Sequence, residues 1–392
     1  MSSILAHERS SGQDAGAGWL ELAMVGAGQL ARMTHQAAVD LGVRLRVLAR
    51  SASDPAVAAG AAHLLGAPDD LEALRALARG CDALTFDHEH VPPEAVRALE
   101  GDGVAVSPSS SALLYGQDKI HARTNLGRRG FPVPDFAHAR TLAEIEAFAS
   151  EHSWPLIGKA PRGGYDGRGV WNLQDRSGAR EVLARADDCL LIEPQLSIDR
   201  ELAVLTVRSR TGESVTYEPV ETIQRHGMCR EIIAPAHIEP QLAREARELA
   251  TSIAHDIDAT GVLAVELFVT SRGLLVNELA LRPHNSGHYT IEGCATSQFE
   301  QHVRAVLALP LGLPTLLAPS VVTVNVVGNA AGEDPRARLR EALGVAGASI
   351  HLYGKSPRAG RKLGHVTACG QTPGPTRLAA QEAAGLLEGR RP

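Results

Sequence analysis

Apolar residues in the first hundred positions alternate between short continuous runs and stretches with helical spacing. The apolar runs at 20–25 and 43–48 flank a stretch at 30–41 in which apolar residues recur every three or four positions. Short apolar runs separated by amphipathic helices are typical of βαβ units with a parallel sheet. The alternation continues with helices predicted at 71–79 and 93–100, and strands at 83–86 and 104–106. The pattern therefore predicts an N-terminal α/β domain over residues 20–115.

The pattern changes after this region. A helix is predicted over 119–129, and strands and helices then mix in an α+β manner, which defines a central domain at 116–315. Apolar strand patterns dominate the last region, 316–392, which ends in a predicted helix at 376–387. Residues 1–19 are polar and rich in Gly and Ser, a composition that predicts a disordered N-terminal extension.

Composition narrows the class of protein. The 392 residues carry a net charge of −6, which argues against a nucleic-acid partner. The five cysteines show no C-x-x-C spacing, so neither a disulfide framework nor a zinc site is predicted and a reducing, cytoplasmic location is expected. No apolar run reaches membrane-spanning length, so no membrane partner is expected.

A glycine-rich segment at 163–169, Gly-Gly-Tyr-Asp-Gly-Arg-Gly, follows the predicted strand that delivers Lys159. Its four glycines reach backbone angles closed to other residues and leave their amide groups unshielded. Such a loop suits phosphate oxygens, and Arg168 adds a planar cation. The segment predicts a triphosphate-binding loop, and a mobile surface loop is the alternative that a glycine motif alone leaves open.

Two glutamates fall on the apolar strands predicted at 262–269 and 274–279. The residues between the strands, 271–273, predict a three-residue hairpin loop with glycine in the left-handed position, which places Glu266 opposite Glu278 at roughly 5 Å. Opposed carboxylates on an apolar hairpin need a neutralising charge, and hard oxygen ligands favour Mg²⁺ or Mn²⁺. The alternative is a solvated sheet face with ion pairs, and a slip of one residue would separate the two glutamates.

Basic and amide side chains follow the second of these strands. Arg282, His284 and Asn285 are candidates for holding an anionic reactant and stabilising the charge that develops on it. A second cationic cluster at 353–362 includes Lys355 and Lys362. A solvated hairpin tip is the usual role of such a run, and binding of a substrate phosphate is the alternative.

The first turn of the chain offers a competing function. Gly26, Gly28 and Ala31 form a G-x-G-x-x-A dinucleotide fingerprint, and Arg50 near the end of the second strand would suit a 2′-phosphate. These residues predict an NADP-dependent oxidoreductase as the alternative from a different class. Such turns also open many α/β units for steric reasons alone, so the fingerprint needs support from its structural context.

Seven motifs occur in order between about residues 25 and 366. They are Gly26-Ala27-Gly28-Gln29-Leu30, Gln117-Asp118-Lys119, the glycine segment 163–169, Asn277-Glu278-Leu279-Ala280, Arg282-Pro283-His284-Asn285-Ser286-Gly287-His288, Ser297-Gln298-Phe299-Glu300 and Gly360-Arg361-Lys362-Leu363-Gly364-His365. In this order the chain resembles the 5-(carboxyamino)imidazole ribonucleotide synthase family of ATP-grasp enzymes in purine biosynthesis. The His-Asn-Ser-Gly-His and Gly-Arg-Lys-x-Gly-His motifs are specific to that family, whereas the glycine loop and the glutamates indicate ATP-grasp in general.

The resemblance implies a pre-ATP-grasp domain with a parallel sheet, a central ATP-grasp domain and a small β-rich C-terminal domain. It implies carboxylation of 5-aminoimidazole ribonucleotide by bicarbonate through carboxyphosphate, with ATP and Mg²⁺ as cofactors. The implied ATP-binding residues are Lys119, Lys159, Gly164, Tyr165, Asp166, Gly167, Arg168, Gly169, Val170, Glu193, Pro194, Gln195, Leu196, Glu201, Gln224, Asn277 and Glu278. The implied catalytic residues are Tyr165, Asp166, Arg282, His284 and Asn285, and the metal ligands are Glu266 and Glu278. The implied substrate-binding residues are Gln29, Leu30, Glu89, Lys355, Arg361 and Lys362.

The resemblance also implies a homodimer and coupling to the downstream carboxyaminoimidazole ribonucleotide mutase. Another ATP-grasp enzyme, such as formate-dependent glycinamide ribonucleotide transformylase, is the alternative within the same fold. The chain departs from the family pattern at Gln224, Val170 and Leu281, where His, Gln and Pro are usual, and the first of these positions is an implied nucleotide contact.

Overall fold

The computed structural model describes residues 18–164, 167–186 and 189–390. The predictions for residues 1–17 of the N-terminal extension and for Tyr165 and Asp166 lie outside the described residues. The described chain forms one four-stranded parallel sheet, one four-stranded antiparallel sheet and one nine-stranded antiparallel sheet. Within these residues, no helix combines the length and the apolarity that crossing a membrane requires.

The N-terminal region alternates strands and helices, as predicted. Its elements are β1 (Glu21–Val25), α1 (Gln29–Asp40), β2 (Arg44–Ala49), α2 (Pro55–Ala58), β3 (Ala62–Leu65), α3 (Leu71–Ala78), β4 (Ala83–Phe86) and α4 (Pro93–Gly101). The strands pair in parallel in the order β3-β2-β1-β4. Strands β1 and β4 are buried along almost their whole length, which suits a parallel sheet covered on both faces. The strand predicted at 104–106 is wrong: Val106 makes only an isolated bridge to Leu84, and Pro108 has no N–H with which to extend a ladder.

Two consecutive helices, α5 (Ser110–Gln117) and α6 (Lys119–Arg128), connect this region to the next. Asp118 separates them and caps α6 by accepting a 3.0 Å hydrogen bond from the His121 N–H. The cap makes Lys119 the first helical residue and places Arg123 one turn further along the same face. Helix α6 thus presents two cations to the strands that follow.

The second sheet is small and antiparallel, in the order β5-β8-β6-β7. Its elements are β5 (Ala137–Ala139), α7 (Leu142–His152), β6 (Leu156–Lys159), β7 (Val170–Leu173), α8 (Arg176–Leu183) and β8 (Leu190–Pro194). Strands β6 and β7 form a hairpin whose connection is the glycine segment. The sheet therefore delivers Lys159 and that segment to the same edge, as the apolar pattern predicts.

The third sheet has nine antiparallel strands and carries most of the remaining residues. Its strands are β9 (Arg200–Arg208), β10 (Ser214–Thr216), β11 (Val220–Arg225), β12 (Met228–Ala234), β13 (Gly261–Thr270), β14 (Gly273–Ala280), β15 (Ser320–Val327), β16 (Ala348–Leu352) and β17 (Lys362–Gly370). Helices α9 (Pro240–Asp256), α10 (Thr290–Gly293), α11 (Gln298–Val306), α12 (Leu339–Ala342) and α13 (Pro373–Leu387) accompany them, with 3-10 turns at Asn285–Gly287 and Pro335–Arg338. The strand order is β14-β13-β9-β11-β12-β15-β17-β16, with β10 beside β9. The β-rich C-terminal region therefore continues the central sheet, because β15 pairs directly with β12.

The hairpin of β13 and β14 pairs the two glutamates as predicted, but its turn and its register differ from the prediction. Thr270 pairs with Gly273, so the connection has two residues and the predicted three-residue loop is wrong. This turn shifts the pairing by one residue, and Phe268 faces Leu275. An irregularity next to Glu266 then leaves one extra residue on β14 and restores the pairing of Glu266 with Glu278.

A buried histidine on α11 joins the N-terminal sheet to the central one. Val262 of β13 donates its N–H to Nδ1 of His302 at 3.2 Å, so the ring proton resides on Nε2. That nitrogen lies 2.8 Å from the hydroxyl of Thr85 on β4 and donates to it. His302 is fully buried, and burial lowers its pKa to about 3, so it bridges the two sheets as a neutral ring.

Candidate functional site

A buried ion-pair network lies between the small sheet, α6 and β14. Glu193, on β8, binds two cations through its carboxylate. One oxygen lies 2.6 Å from Nε of Arg123, and the other lies 2.7 Å from Nζ of Lys159. Arg123 also donates to the Val276 carbonyl at 2.7 Å. Burial alone would raise the pKa of Glu193, but the charges of Arg123 and Lys159 outweigh it and hold that pKa below its ordinary value. Glu193 is therefore an anion that fixes two cations.

Polar contacts continue from this network to the glutamate pair. Lys159 Nζ donates to Oδ1 of Asn277 at 3.1 Å, and the amide nitrogen of Asn277 lies 3.5 Å from Glu266. Lys119 reaches across from α6 to Glu278 at 3.2 Å. The structure thus brings six of the predicted ATP and metal residues together on five elements, α6, β6, β8, β13 and β14.

The opposed glutamates have the electrostatics of a cation site. Burial and the nearby carboxylates of Glu278 and Glu201 raise the pKa of Glu266 to about 7. Within the described residues, no group of three or more His, Cys, Asp or Glu side chains is arranged to hold a metal ion by itself. Two carboxylates fit Mg²⁺, which usually takes one or two protein carboxylates and completes its shell with water and substrate phosphates.

The glycine segment lies against the opposite sheet. Gly163, Gly167 and Gly169 have positive φ angles of 76°, 75° and 73°, which L side chains rarely adopt. A Cβ on Gly167 would lie 3.0 Å from Cα of Gly227, in the turn between β11 and β12. The segment therefore approaches the large sheet at Gly167, where the positive φ and the close backbone of Gly227 both favour glycine.

Further predicted nucleotide residues line the strands that face this loop. Pro194 ends β8, with Gln195 exposed and Leu196 half-buried immediately after it. Gln224 hydrogen-bonds to the carboxylate of Glu201, whose pKa burial raises. Gln224, which departs from the family pattern, therefore contacts Glu201, another predicted ATP-binding residue. Val170 begins β7 and is 43% exposed.

A carboxylate from the N-terminal domain holds the loop after β14. Glu89 accepts the Leu281 N–H at 3.1 Å on one oxygen and Arg282 Nε at 2.8 Å on the other. Glu89, a predicted substrate residue, thus has both oxygens engaged by the protein, and it orients the guanidinium of Arg282.

His284 and Asn285 are held in place by the same loop and by β15. The Ser286 N–H lies 3.3 Å from Nδ1 of His284 and donates to it, so the ring proton is on Nε2, which lies 3.5 Å from Glu266. Burial, then the charges of Arg282 and Lys362, lower the pKa of His284 to about 3. Asn285 exchanges two amide hydrogen bonds, of 2.9 and 2.8 Å, with Asn325.

The cationic C-terminal segment lies close to this loop. The positive charge of Lys362 lowers the pKa values of both Glu266 and His284, so Lys362 belongs to the electrostatic surroundings of these two residues. Lys355 lies 5.6 Å from the ring centre of Tyr353, and Arg361 donates to the Ser356 carbonyl at 3.2 Å.

Helix α1 packs beside this segment and carries two further predicted residues. Gln29 is the first residue of the helix. Leu30 is 7% exposed and packs in a cluster with Phe299 and Tyr353, so its side chain belongs to the core and only its main chain is left for a ligand.

The dinucleotide fingerprint at the start of α1 is occupied by the protein itself. Asp87 accepts the Gly28 N–H at 2.7 Å, and a Cβ on Gly26 would lie 1.7 Å from the same carboxylate. The Gly28 amide group, which would receive a pyrophosphate, is therefore taken by an internal carboxyl group. This arrangement argues against the NADP-dependent oxidoreductase.

Sequence reasoning missed two residues that build the site. Arg123 lies four positions after Lys119 on one helix, so helical spacing alone gave a signal for it. Asn325 lies forty positions from Asn285, and nothing in the local pattern of β15 connects the two.

Three family profiles match the chain in succession. The ribonucleotide synthetase preATP-grasp domain matches residues 20–117, the ATP-grasp domain matches 124–299, and the phosphoribosylaminoimidazole carboxylase C-terminal domain matches 321–377. Together with a glycine loop and a glutamate pair held between two sheets, these matches define an ATP-grasp ligase.

Individual relatives identify one family within the ATP-grasp ligases. N5-carboxyaminoimidazole ribonucleotide synthase of Mycobacterium tuberculosis is 48% identical over 362 residues, which cover 89% of this chain and 83% of the relative. The Corynebacterium ammoniagenes enzyme of the same name is 42% identical over 379 residues, covering 93% and 91%. The crystal structure of N5-carboxyaminoimidazole synthase from Aspergillus clavatus in complex with ADP and 5-aminoimidazole ribonucleotide has a TM-score of 0.86 and 31% identity, covering 95% and 99%. The chain belongs to the N5-carboxyaminoimidazole ribonucleotide synthase family.

Proposed function

We propose that this chain carboxylates the exocyclic amine of 5-aminoimidazole ribonucleotide with bicarbonate and ATP, releasing ADP and phosphate. The observation that carries the proposal is the position of Glu266 and Glu278 directly beside the loop that bears His284. A site for a triphosphate and its cation thereby adjoins a site for a second, anionic reactant. The family relationship supports the same reaction and supports it over the alternatives.

The reaction divides into two steps. An oxygen of bicarbonate attacks the γ-phosphorus of ATP, the bond to the β-phosphate oxygen breaks, and carboxyphosphate and ADP result. The amine nitrogen then attacks the carboxyl carbon, directly or after release of CO₂, while phosphate departs and a proton leaves the nitrogen. Bicarbonate is a poor electrophile, and phosphorylation supplies the leaving group that the second step needs.

The ATP side of the site follows from the buried network. Lys119 and Lys159 carry positive charge to the β- and γ-phosphates, and the glycine segment 163–169 closes over them with its amide groups. Glu193 keeps Lys159 in place through their 2.7 Å contact. Glu266 and Glu278 would hold Mg²⁺, which when bound neutralises the charge that develops between the phosphates.

The remaining residues of the loop face the acceptor side. Because Nδ1 of His284 accepts from Ser286, the ring offers an N–H to bicarbonate or carboxyphosphate and serves as a donor. Arg282 adds a cation that Glu89 orients. Lys355, Arg361 and Lys362 are assigned to the phosphate of the ribonucleotide, near the start of α1.

The setting of the enzyme is also part of the proposal. All five cysteines, each within the described residues, are free thiols, which suits the reducing cytoplasm. A homodimer and transfer of the product to a mutase are expected from the family resemblance.

The test is ADP release by the purified chain with Mg²⁺ and ATP, omitting each other reactant in turn. Release is expected only when 5-aminoimidazole ribonucleotide and bicarbonate are both present. ADP release that does not depend on the imidazole nucleotide would contradict the proposal.

A further inference from the structure

A buried glutamine on α11 grips the main chain of His284. Gln298 Oε1 accepts the His284 N–H at 2.8 Å, and Gln298 Nε2 donates to the His284 carbonyl at 2.7 Å. The same Nε2 lies 3.4 Å from Nδ1 of His288, at the far end of the loop. One side-chain amide thus holds both main-chain groups of a single residue and fixes the peptide planes on both sides of it.

The glutamine is itself fixed against the loop. Gln298 is fully buried, and its main-chain N–H donates to Oγ1 of Thr290 at 2.9 Å. The Thr290 hydroxyl in turn donates to the Gly287 carbonyl at 2.6 Å. Gly287 has no room for a side chain, because a Cβ there would lie 2.5 Å from Oε1 of Gln298. The amide therefore packs directly on the loop, and movement of either one displaces the other.

We propose that Gln298 is a positioning residue for the carboxylation step, acting on the substrate only through His284. The inference rests on the proposed role of His284 beside bicarbonate and the reacting amine. The ATP side has different supports, because Lys159 is held by Glu193 on a different sheet. The two hydrogen bonds from the Gln298 side chain to the His284 main chain form a clamp. Loss of this clamp should therefore impair the use of bicarbonate while leaving ATP binding intact.

The chain contains a matched control on the same helix. Gln301 is also fully buried, and it makes the same two-sided clamp on Gly312: Nε2 donates to the Gly312 carbonyl at 2.6 Å, and Oε1 accepts its N–H at 2.9 Å. Gly312 follows α11 and belongs to none of the proposed substrate or metal residues. Breaking either clamp leaves similar, partly buried main-chain groups without these partners, so the structural costs of the two changes are comparable.

The experiment compares Gln298→Met with Gln301→Met in the full chain. Melting temperature, the KM for each of the three reactants, and carboxylated product formed per ADP released are measured for both. Both variants are expected to melt earlier than the wild type. Only Gln298→Met is expected to lose about 100-fold in kcat/KM for bicarbonate and to release ADP without product, with its KM for ATP unchanged.

A second variant and a double mutant guard against a purely structural effect. Gln298→Glu keeps an acceptor for the His284 N–H but sets a carboxylate oxygen against its carbonyl, and the same selective defect is expected. In a His284→Ala background, Gln298→Met should cause no further loss in kcat/KM for bicarbonate, because the clamp acts through that side chain.

Three results would overturn the proposal: equal kinetic losses in the two methionine variants, near-normal kcat/KM for bicarbonate in Gln298→Met, or full additivity with His284→Ala. A wild-type chain that turns over ATP without the imidazole nucleotide would instead overturn the proposed function. The contrast between Gln298→Met and Gln301→Met in that turnover would still test the clamp.

Discussion

Removal of the Arg123 guanidinium is the sharpest test of the buried network. Arg123, Glu193 and Lys159 are 3%, 3% and 8% exposed, so solvent screens their charges poorly. Replacement with Met in Arg123→Met keeps an unbranched side chain in place but takes one of two cations from the Glu193 carboxylate. It also leaves the Val276 carbonyl without its 2.7 Å donor.

The size of the effect follows from these contacts. Breaking a buried ion pair by removing one partner costs about 3–5 kcal/mol. Lys159 remains 2.7 Å from Glu193 and keeps part of the neutralisation, so the low end, about 3 kcal/mol, is expected. The lost hydrogen bond to Val276 adds about 1 kcal/mol.

The assay is urea unfolding followed by circular dichroism, comparing transition midpoints because a chain of several domains need not unfold in one step. The control is Arg75→Met, which removes exposed ion pairs of similar length: Arg75 lies 2.7 Å from Asp102 and 2.8 Å from Glu72, and all three side chains are exposed. A clear drop in midpoint is expected for Arg123→Met and almost none for Arg75→Met.

The stability that Glu193 contributes is expected to change with pH in a defined direction. The pKa of Glu193 is lowered from 4.5 in the folded chain, so the unfolded chain binds the proton more readily. The stability that this group contributes is complete above pH 4.5 and is lost as the pH falls through the folded pKa. If Arg123→Met unfolds at the wild-type midpoint near neutral pH, the reasoning about this network is refuted.

Three other predictions follow from the site and its supports. Glu278→Ala should lower MgATP turnover by at least about 100-fold with an unchanged circular dichroism spectrum, and near-normal turnover would contradict the assignment of the paired carboxylates. Thr85→Val should destabilise the chain by about 1–3 kcal/mol in urea unfolding, because it leaves the buried Nε2–H of His302 without an acceptor. The folded pKa of His302, about 3, lies below the unfolded value of 6.5, so stability rises with pH between these values. His302→Gln should flatten that part of the curve of unfolding free energy against pH, and an unchanged slope would count against the neutral bridge.

The parts of the fold that sequence patterns predicted are those governed by local periodicity. The strand at 83–86 and the helix beginning at Lys119 were placed correctly because burial on both faces and helical spacing leave clear patterns. The strand predicted at 104–106 failed because a short β-branched run does not show whether a partner strand is in reach.

The glutamate pair shows how local rules can fail while their outcome survives. The predicted turn was one residue too long, and the irregularity beside Glu266 compensated for it. A bulge adds one residue to one strand, and the hydrophobic pattern of β14 does not display it. The pairing of Glu266 with Glu278 was confirmed, although the predicted loop that led to it was wrong.

Contacts between distant elements were the least accessible from the sequence. Helical spacing could have added Arg123 to Lys119, but its partner Glu193 lies seventy positions away. Occupation of the glycine turn by Asp87 likewise depends on β1 lying beside β4, which a motif match does not encode. Contacts of this kind are formed only in the folded chain, so a sequence motif alone does not show whether its residues are free to bind a ligand.

The position at which the carboxyl group is attached tests the proposed reaction most directly. The purified chain would be incubated with MgATP, ¹³C-bicarbonate and 5-aminoimidazole ribonucleotide carrying ¹⁵N in its exocyclic amine, and followed by ¹³C NMR. A new carboxyl signal split by the adjacent ¹⁵N is expected, growing in step with ADP and absent with Glu278→Ala. ADP formation without that signal, or a carboxyl carbon bonded to ring carbon instead of nitrogen, would contradict the proposed reaction.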